Sequence, residues 1–253
     1  MTDTSRIFLG CPGDRALSLI AVFFRGVLAA AVILTLLILF IPGPDFLTFS
    51  NVLQVIAAAG GSIAFLYCWY ACGHRESFLW AAYGFGLWGI ANIAWYVNVF
   101  LGLRALVFPS LIDLGMIASF LLLAVAFRSG FSEKDPSPYL PLAIVTASLI
   151  VPVAVILMAG TIIPALVTLL YFLACGIFLA ACVRYPGIRS KELFFGSLLF
   201  ALAFMAYPLR EMFSPQAPFL NILGTMVSAG FALIVTGWPL AASAEENEDR
   251  DLS

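Results

Sequence analysis

Long apolar runs separated by short polar segments dominate the chain. Each run is close to the roughly 20 residues that an α-helix needs to cross a bilayer. Apolar and polar residues do not alternate within the runs, so the pattern of membrane-spanning strands is missing. The chain is therefore predicted to be an all-α, polytopic membrane protein with eight transmembrane helices. The predicted spans are about 18–41, 50–71, 78–101, 109–127, 140–158, 163–183, 193–213 and 219–239.

The composition supports a membrane location. Of the 253 residues, 63% are hydrophobic and 10% are charged, and the mean hydropathy is +1.07. This number of charged groups is too small to cover the surface of a water-soluble protein of this length. We therefore expect lipid to solvate much of the surface of the chain. A net charge of −2 argues against nucleic acid as a partner, because such recognition depends on a basic surface.

The distribution of lysine and arginine predicts the orientation, because cytoplasmic loops carry an excess of positive charge. With the N-terminus inside, nine of the twelve basic residues lie on the cytoplasmic side, whereas Arg104 and Arg210 lie outside and Arg25 lies within the first span. We therefore expect both termini in the cytoplasm and the first span to remain as an anchor. The nine are Arg6, Arg15, Arg75, Arg128, Lys134, Arg184, Arg189, Lys191 and Arg250.

All five cysteines map to the cytoplasmic side of this topology, where thiols normally stay reduced. We therefore expect no structural disulfide. Four of them would bind a soft metal only if spans two and six met, and small buried hydrophobic side chains or lipidation sites are the simpler interpretations. The single histidine, His74, lies in a loop, which argues against haem ligation within the membrane, and we expect no metal or other cofactor. The cysteines are Cys11, Cys68, Cys72, Cys175 and Cys182.

The sequence is predicted to contain two similar units of four spans, one after the other. Placing "PSLIDLGMIAS" (109–119) over "PFLNILGTMVS" (218–228) matches Gly115 with Gly224. Placing "GFGLWGIANIAW" (84–95) over "GSLLFALAFMAY" (196–207) puts aromatic residues at equivalent positions. An even number of spans gives both units the same orientation, so we expect an axis along the membrane normal to relate them.

These features divide the chain into five segments. The predicted segments are a cytoplasmic N-terminal segment (1–16), a first four-helix repeat (17–128), a cytoplasmic linker (129–138), a second four-helix repeat (139–240) and a disordered acidic tail (241–253).

Polar residues within the predicted spans gather in the outer halves of spans three, four, seven and eight. Trp88, Asn92 and Trp95 lie at i, i+4 and i+7 and therefore share one helix face. Polar groups inside a membrane are costly and usually face the bundle interior, where they serve function. We therefore expect a ligand pocket there and no catalytic residues. The predicted ligand-binding residues are Trp88, Asn92, Trp95, Tyr96, Asp113, Tyr207 and Arg210.

Asp113 has two interpretations. With Ser110 it forms S-x-x-D at the start of span four, the pattern of a capping box. The equivalent positions of the second unit are Phe219 and Ile222, so the unit does not require this cap. Asp113 is therefore either a helix cap or a functional acid, and the residues alone leave both open.

Packing or interface anchoring competes with ligand binding at the other predicted residues. Arg104 and Arg210 either extend to the membrane interface or pair with Asp113, since an unpaired carboxylate in hydrocarbon is costly. Trp88 and Trp95 either pack against neighbouring helices or contact a ligand. Small neighbours on the same span favour close helix packing.

One stretch resembles a known family. The segment "WAAYGFGLWGIANIAWY" followed by "FPSLIDLGMIASFLLLAVAF" resembles the multi-pass N-terminal membrane sensor modules of prokaryotic histidine kinases and diguanylate cyclases. In those modules a tryptophan-rich helix with glycines precedes a helix that opens with a P-S-x-x-D signature. The resemblance covers mainly spans three and four, and it implies a sensory role. We expect no catalytic output domain after the bundle, so signalling would require a separate cytoplasmic partner.

The sequence thus predicts a non-enzymatic membrane sensor or ligand-binding bundle. Its pocket would lie in the outer leaflet half and take a lipid or small hydrophobic ligand, and cytoplasmic loops or a partner would carry the signal. The alternative is a small-molecule or lipid transporter built from two parallel repeats. A lipid hydrolase would need Asp113 and a second acid, for which Glu211 is the nearest candidate. Homo-oligomerisation stays open.

Overall fold

The computed structural model describes residues 14–41, 46–72, 74–101, 110–133, 139–159, 162–187, 189–213 and 221–251. Every secondary-structure element in these ranges is a helix, so the prediction of an all-α fold is confirmed. The eight helices are α1 (Asp14–Phe40), α2 (Phe46–Ala71), α3 (Glu76–Phe100), α4 (Leu111–Gly130), α5 (Tyr139–Ala159), α6 (Ile162–Arg184), α7 (Lys191–Phe213) and α8 (Asn221–Asp251).

Six of these helices, namely α1, α2, α4, α6, α7 and α8, contain segments long and apolar enough to cross a membrane. The tryptophans, tyrosines and asparagines of α3 lower its hydropathy, and α5 contributes a shorter apolar stretch, Tyr139–Ile150. The described chain therefore has the character of a helical membrane protein. The full number of eight spans stays a prediction.

Six helices form a closed ring of neighbours. In order around the ring, α2 packs against α3, α3 against α4, α4 against α6, α6 against α7, α7 against α8, and α8 against α2. The other two helices lie outside the ring, α1 against α8 and α2, and α5 against α6.

Aromatic rings fill the middle of the ring of helices. Trp88 of α3 meets Phe200 of α7 and Phe231 of α8 edge to face, with ring centroids 5.3 and 5.7 Å apart. Phe120 of α4 stacks on Phe200 at 4.4 Å. Each such pair adds about 0.5–1.5 kcal/mol beyond the area that it buries. Direct packing matters here because lipid is as apolar as the side chains, so the hydrophobic effect does not hold membrane helices together.

The segment 241–253, where we expected a disordered tail, is helical as far as Asp251. Ala241 is fully buried, and the alanines and glutamates that follow it favour helix. Glu245 accepts a hydrogen bond of 2.6 Å from the backbone N–H of Ser132, just after α4. The described part of this segment is thus helical, and one of its carboxylates has a partner on the bundle.

Cys72 is disulfide-bonded, which contradicts the expectation that all cysteines are reduced. The predicted compartment alone does not decide whether a disulfide forms, because the bond also depends on the distance between two cysteines. Cys68, Cys175 and Cys182 are buried free thiols, in agreement with their interpretation as small core side chains.

Candidate functional site

A cavity lies between five helices at the end of the bundle where α2, α4 and α8 begin and α3 and α7 end. Its volume is about 530 Å³, including the part that opens to the surroundings. We refer to this space as the amide cavity, after the three amide side chains that line it: Asn51, Gln54 and Asn92.

The three amides form a directed chain of hydrogen bonds. Asn92 Nδ2 donates to Gln54 Oε1 at 3.0 Å, and Gln54 Nε2 donates to Asn51 Oδ1 at 3.2 Å. All three residues are buried, and the chain joins α3 to α2. This order of donation leaves Asn92 Oδ1 as an acceptor and Asn51 Nδ2 as a donor, neither bonded to another described residue. Both ends of the chain are therefore available to a ligand.

Gly224 of α8 closes the cavity on the side of α2. A Cβ atom at this position would collide with Ser50 Oγ and with Gln54 Nε2. With glycine here, the side chains of Ser50 and Gln54 keep their positions against the first turns of α8; a larger residue would displace them. The same close approach explains why a glycine stands among cavity-lining residues.

The opposite side of the amide cavity is aromatic. Trp88, Trp95, Phe204 and Tyr207 line it. Trp88 is 1% exposed, and its indole Nε1–H has no hydrogen-bond acceptor among the described residues. A buried donor without a partner costs about 1–3 kcal/mol, so it points to a function for this group. The ring of Trp88 is held by Phe204, with centroids 4.3 Å apart.

Asp113 lies beside the cavity and does not line it. Its Oδ2 accepts from the backbone N–H of Ser110 at 2.6 Å and from Ser110 Oγ at 2.9 Å, so it acts on the start of α4 as a capping carboxylate does. Its Oδ1 accepts from the hydroxyl of Tyr171 at 2.6 Å. The ring of Tyr171 is 6.0 Å from that of Tyr207, which does line the cavity.

Four of the seven predicted site residues therefore share one cavity: Trp88, Asn92, Trp95 and Tyr207. Tyr96 is half-buried but does not line the cavity, because it follows Trp95 directly and points to another side of α3. The ligand-binding role of all these residues stays a prediction. The side chains of Arg210, Glu211 and Asn221 and the whole of Arg104 lie outside the described part of the structure, so a pairing of Asp113 with arginine also stays a prediction.

Sequence reasoning missed the contribution of α2. Ser50, Asn51 and Gln54 lie at i, i+1 and i+4 near the start of that helix, and they form the polar face of the cavity. Their spacing on one helix face was a usable signal.

The chemistry of the described lining is hydrogen bonding and ring contact. Tyr207 is its only ionisable side chain among the described residues. Within the same part of the chain, no group of three His, Cys, Asp or Glu residues is close enough to hold a metal ion. The described lining thus offers hydrogen-bond donors, hydrogen-bond acceptors and aromatic rings to a bound molecule.

Comparison with protein-family models, with curated proteins and with solved structures finds no match for this chain. The functional proposal therefore depends on the geometry of the chain itself.

Proposed function

We propose that this chain is a non-enzymatic membrane sensor or ligand-binding bundle that takes a small hydrophobic or lipid-like molecule in the amide cavity. One observation carries the proposal: a hollow between five helices combines buried amides with an unpartnered indole N–H at Trp88. Pockets that bind small molecules have mostly apolar walls with a few convergent polar groups. Polar groups at membrane depth are costly unless they serve such a purpose.

A single helix links the amide cavity to the opposite end of the bundle, which supports a role in signalling. Gly224 lines the cavity, and Glu245 lies 21 residues later, about 31 Å along α8 at 1.5 Å per residue. Glu245 accepts from Ser132 after α4 and pairs with Arg189 between α6 and α7. Suppose that α8 can take two placements in the bundle. A ligand that binds the protein more tightly in one placement than in the other would shift the equilibrium between them and so change these contacts. A cytoplasmic partner would read that change, as the resemblance to sensor modules implies.

The proposal includes eight spans, arranged as two parallel four-helix repeats with both termini in the cytoplasm and the cavity facing outside. The pairing of helices supports it, because α2–α3, α3–α4, α8–α2 and α1–α2 have counterparts in α6–α7, α7–α8, α4–α6 and α5–α6. Trp88 and Phe200 occupy equivalent positions of the two units and are in ring contact at 5.3 Å. Equivalent residues meet in this way near a two-fold axis. The contact of α1 with α8 has no counterpart of similar extent between α4 and α5 in the described part of the chain.

Labelling of single cysteines tests the orientation. A cysteine introduced at Ser132 should react with a membrane-impermeant maleimide only after the cells are permeabilised, because it lies at the proposed cytoplasmic end. A cysteine at Leu101, at the opposite end of α3, should react in intact cells. Labelling of the Ser132 variant in intact cells would contradict the orientation.

Thermal unfolding tests the binding role. Purified protein is screened against lipid extracts and small metabolites, and at least one fraction should raise the unfolding temperature. Asn92→Ala and Trp95→Ala should abolish that rise. Tyr83→Ala is the matched control, because Tyr83 is an aromatic residue of the same helix that is 51% exposed and does not line the cavity. If no fraction acts, or if all three variants lose the effect equally, the binding proposal is wrong.

A second cavity favours transport as the alternative function. It has a volume of about 450 Å³, including its open part, and lies nearer the opposite end of the bundle, where Phe78 and Trp238 line it. Along both α3 and α8, Phe85 and Phe231 lie between the two cavities, with ring centroids 4.6 Å apart. Two cavities separated by a packed layer suit a carrier of two parallel halves. A cysteine at Asn92 that reacts from both membrane sides would favour transport, whereas reaction from outside alone favours the sensor.

A further inference from the structure

We infer that the ligand of the amide cavity is an uncharged molecule with a carbonyl or hydroxyl oxygen on an apolar body, and that this oxygen accepts a hydrogen bond from Trp88 Nε1. The inference rests on the proposed function and adds the chemical class of the ligand. Three features of the cavity support it.

The first feature is the charge of the lining. No Asp, Glu, Lys, Arg or His side chain is among the described residues that line the cavity. The nearby carboxylate of Asp113 accepts hydrogen bonds on both oxygens, from Ser110 and from Tyr171. From these described residues a charged ligand would therefore gain no counterion for the hydration that it loses, which is unfavourable at membrane depth.

The second feature is the donor at Trp88. An indole N–H donates and does not accept, so its partner must be an acceptor. The ring has little freedom to turn away, because it meets Phe120, Phe200, Phe204 and Phe231 at 65–87° between ring planes. The described protein supplies no acceptor for this N–H. A ligand oxygen would remove the cost of leaving the donor unpaired.

The third feature is the separation of polar and apolar walls. Asn92 lies one turn after Trp88 on the same helix face, and its Oδ1 is open to a donor such as a ligand hydroxyl. Met116, Leu223 and Val227 line the apolar part of the cavity. An amphipathic molecule would place its oxygen toward α3 and its hydrocarbon part toward α4 and α8.

A cationic ligand is the main competitor, because four aromatic residues line the cavity and ring faces attract cations. The geometry of Trp88 disfavours this class. Its ring is buried among phenylalanines, and the positive edge of the N–H repels a cation.

The test uses the full chain with ¹⁵N-labelled indole groups in lipid nanodiscs, observed by NMR. Three probes of equal chain length are added in turn: heptan-2-one, heptanoate and heptyltrimethylammonium. Trp88→Phe assigns the signal of Trp88, and Trp238→Phe assigns a second buried tryptophan that lines the other cavity. We expect heptan-2-one to move the Trp88 indole proton signal downfield in a saturable way and to leave Trp238 unmoved. The two charged probes should move neither signal.

The same variants test the hydrogen bond. Read from the Trp95 signal, Trp88→Phe should weaken the affinity for heptan-2-one about tenfold, since one hydrogen bond contributes about that factor. Trp238→Phe should leave the affinity unchanged. If Trp88→Phe does not fold, Phe variants of the other four tryptophans assign the Trp88 signal by elimination, and its shift in the wild type decides the inference.

The outcomes separate the two proposals. If heptanoate or heptyltrimethylammonium moves the Trp88 signal and heptan-2-one does not, the ligand class is wrong and the cavity remains a binding site. If heptan-2-one binds equally well to Trp88→Phe, the assigned hydrogen bond is wrong. If no probe moves Trp88 or Trp95, the inference is overturned, and the thermal screen of lipid extracts decides the binding role separately.

Discussion

The hydroxyl of Tyr171 in α6 donates a hydrogen bond of 2.6 Å to Oδ1 of Asp113 in α4. Asp113 is 3% exposed and Tyr171 is fully buried. The other carboxylate oxygen, Oδ2, accepts from the backbone and side chain of Ser110. One carboxylate thus joins the start of α4 to its neighbour α6, and both of its oxygens have donors.

Tyr171→Phe should destabilise the protein by about 1.5–3 kcal/mol, the contribution of a hydrogen bond to a charged group. The substitution removes the only described donor to Asp113 Oδ1 and keeps the ring. The measurement is the free energy of unfolding in detergent. Tyr67→Phe is the matched control, because Tyr67 is half-buried and its hydroxyl bonds no described residue, so its effect should stay within about 0.5 kcal/mol. Equal effects would show that the bond to Asp113 contributes nothing.

This arrangement illustrates what could be predicted for the site. The cap was predictable because Ser110 and Asp113 are three residues apart, and local spacing fixes their geometry. Tyr171 is 58 residues from Asp113, and the contact depends on how α4 packs against α6. Gln54 and Asn92, separated by 38 residues, meet for the same kind of reason. Partners on distant helices were outside the reach of motif reasoning.

Gly224→Ala should destabilise the protein by about 1–2 kcal/mol, because the added methyl group would displace the side chains of Ser50 and Gln54 and disturb the hydrogen bonds of Gln54 with Asn51 and Asn92. It should also weaken the binding of any ligand that stabilises the wild type. The control is Gly26→Ala in α1, where a Cβ atom meets nothing within 4 Å. That variant should be neutral or more stable by up to about 1 kcal/mol, owing to the helix propensity of alanine. If the two variants have the same free energy of unfolding, the close approach at Gly224 is contradicted.

Phe120→Ala should cost about 3–5 kcal/mol, since it leaves a cavity where the ring stacks on Phe200 and meets Phe178. Phe195→Ala removes the same atoms from a side chain that is 56% exposed, and lipid can fill the space. We therefore expect a loss below about 1 kcal/mol for Phe195→Ala. The comparison uses unfolding titrations of both variants in the same detergent. A similar loss in both would mean that the aromatic core contributes no special packing.

The same contrast explains why helices were easier to predict than their arrangement. Phe23 is 43% exposed and Phe24 is 1% exposed, although they are adjacent and identical. In water, an exposed phenylalanine would be costly and the pattern would reveal the buried face. In lipid, both positions tolerate an apolar residue. Hydropathy therefore predicts where a span lies in the chain but not which face of the helix is buried. The ring of six helices and the outer positions of α1 and α5 therefore required the three-dimensional structure.

Glu245→Ala should destabilise the end of the bundle opposite the amide cavity by about 0.5–1.5 kcal/mol, the net contribution of a hydrogen bond, because water partly replaces the acceptor lost by the exposed Ser132 N–H. It also removes the carboxylate from Arg189, whose side chain is 5% exposed and lies 3.7 Å away. Unfolding free energies and the rate of proteolysis after Ser132 measure the effect.

Glu133→Ala is the control for this prediction. Glu133 pairs with Arg184 at 2.6 Å, but both side chains are about a third exposed, and such pairs contribute about 0–1 kcal/mol. In 1 M salt, where charges are screened beyond about 3 Å, the Glu133 effect should vanish. Most of the Glu245 effect should persist, because the N–H of Ser132 is a neutral donor at hydrogen-bond distance. If salt removes both effects equally, Glu245 acts only as a surface charge, and α8 does not join α4 to the loop before α7 through this residue.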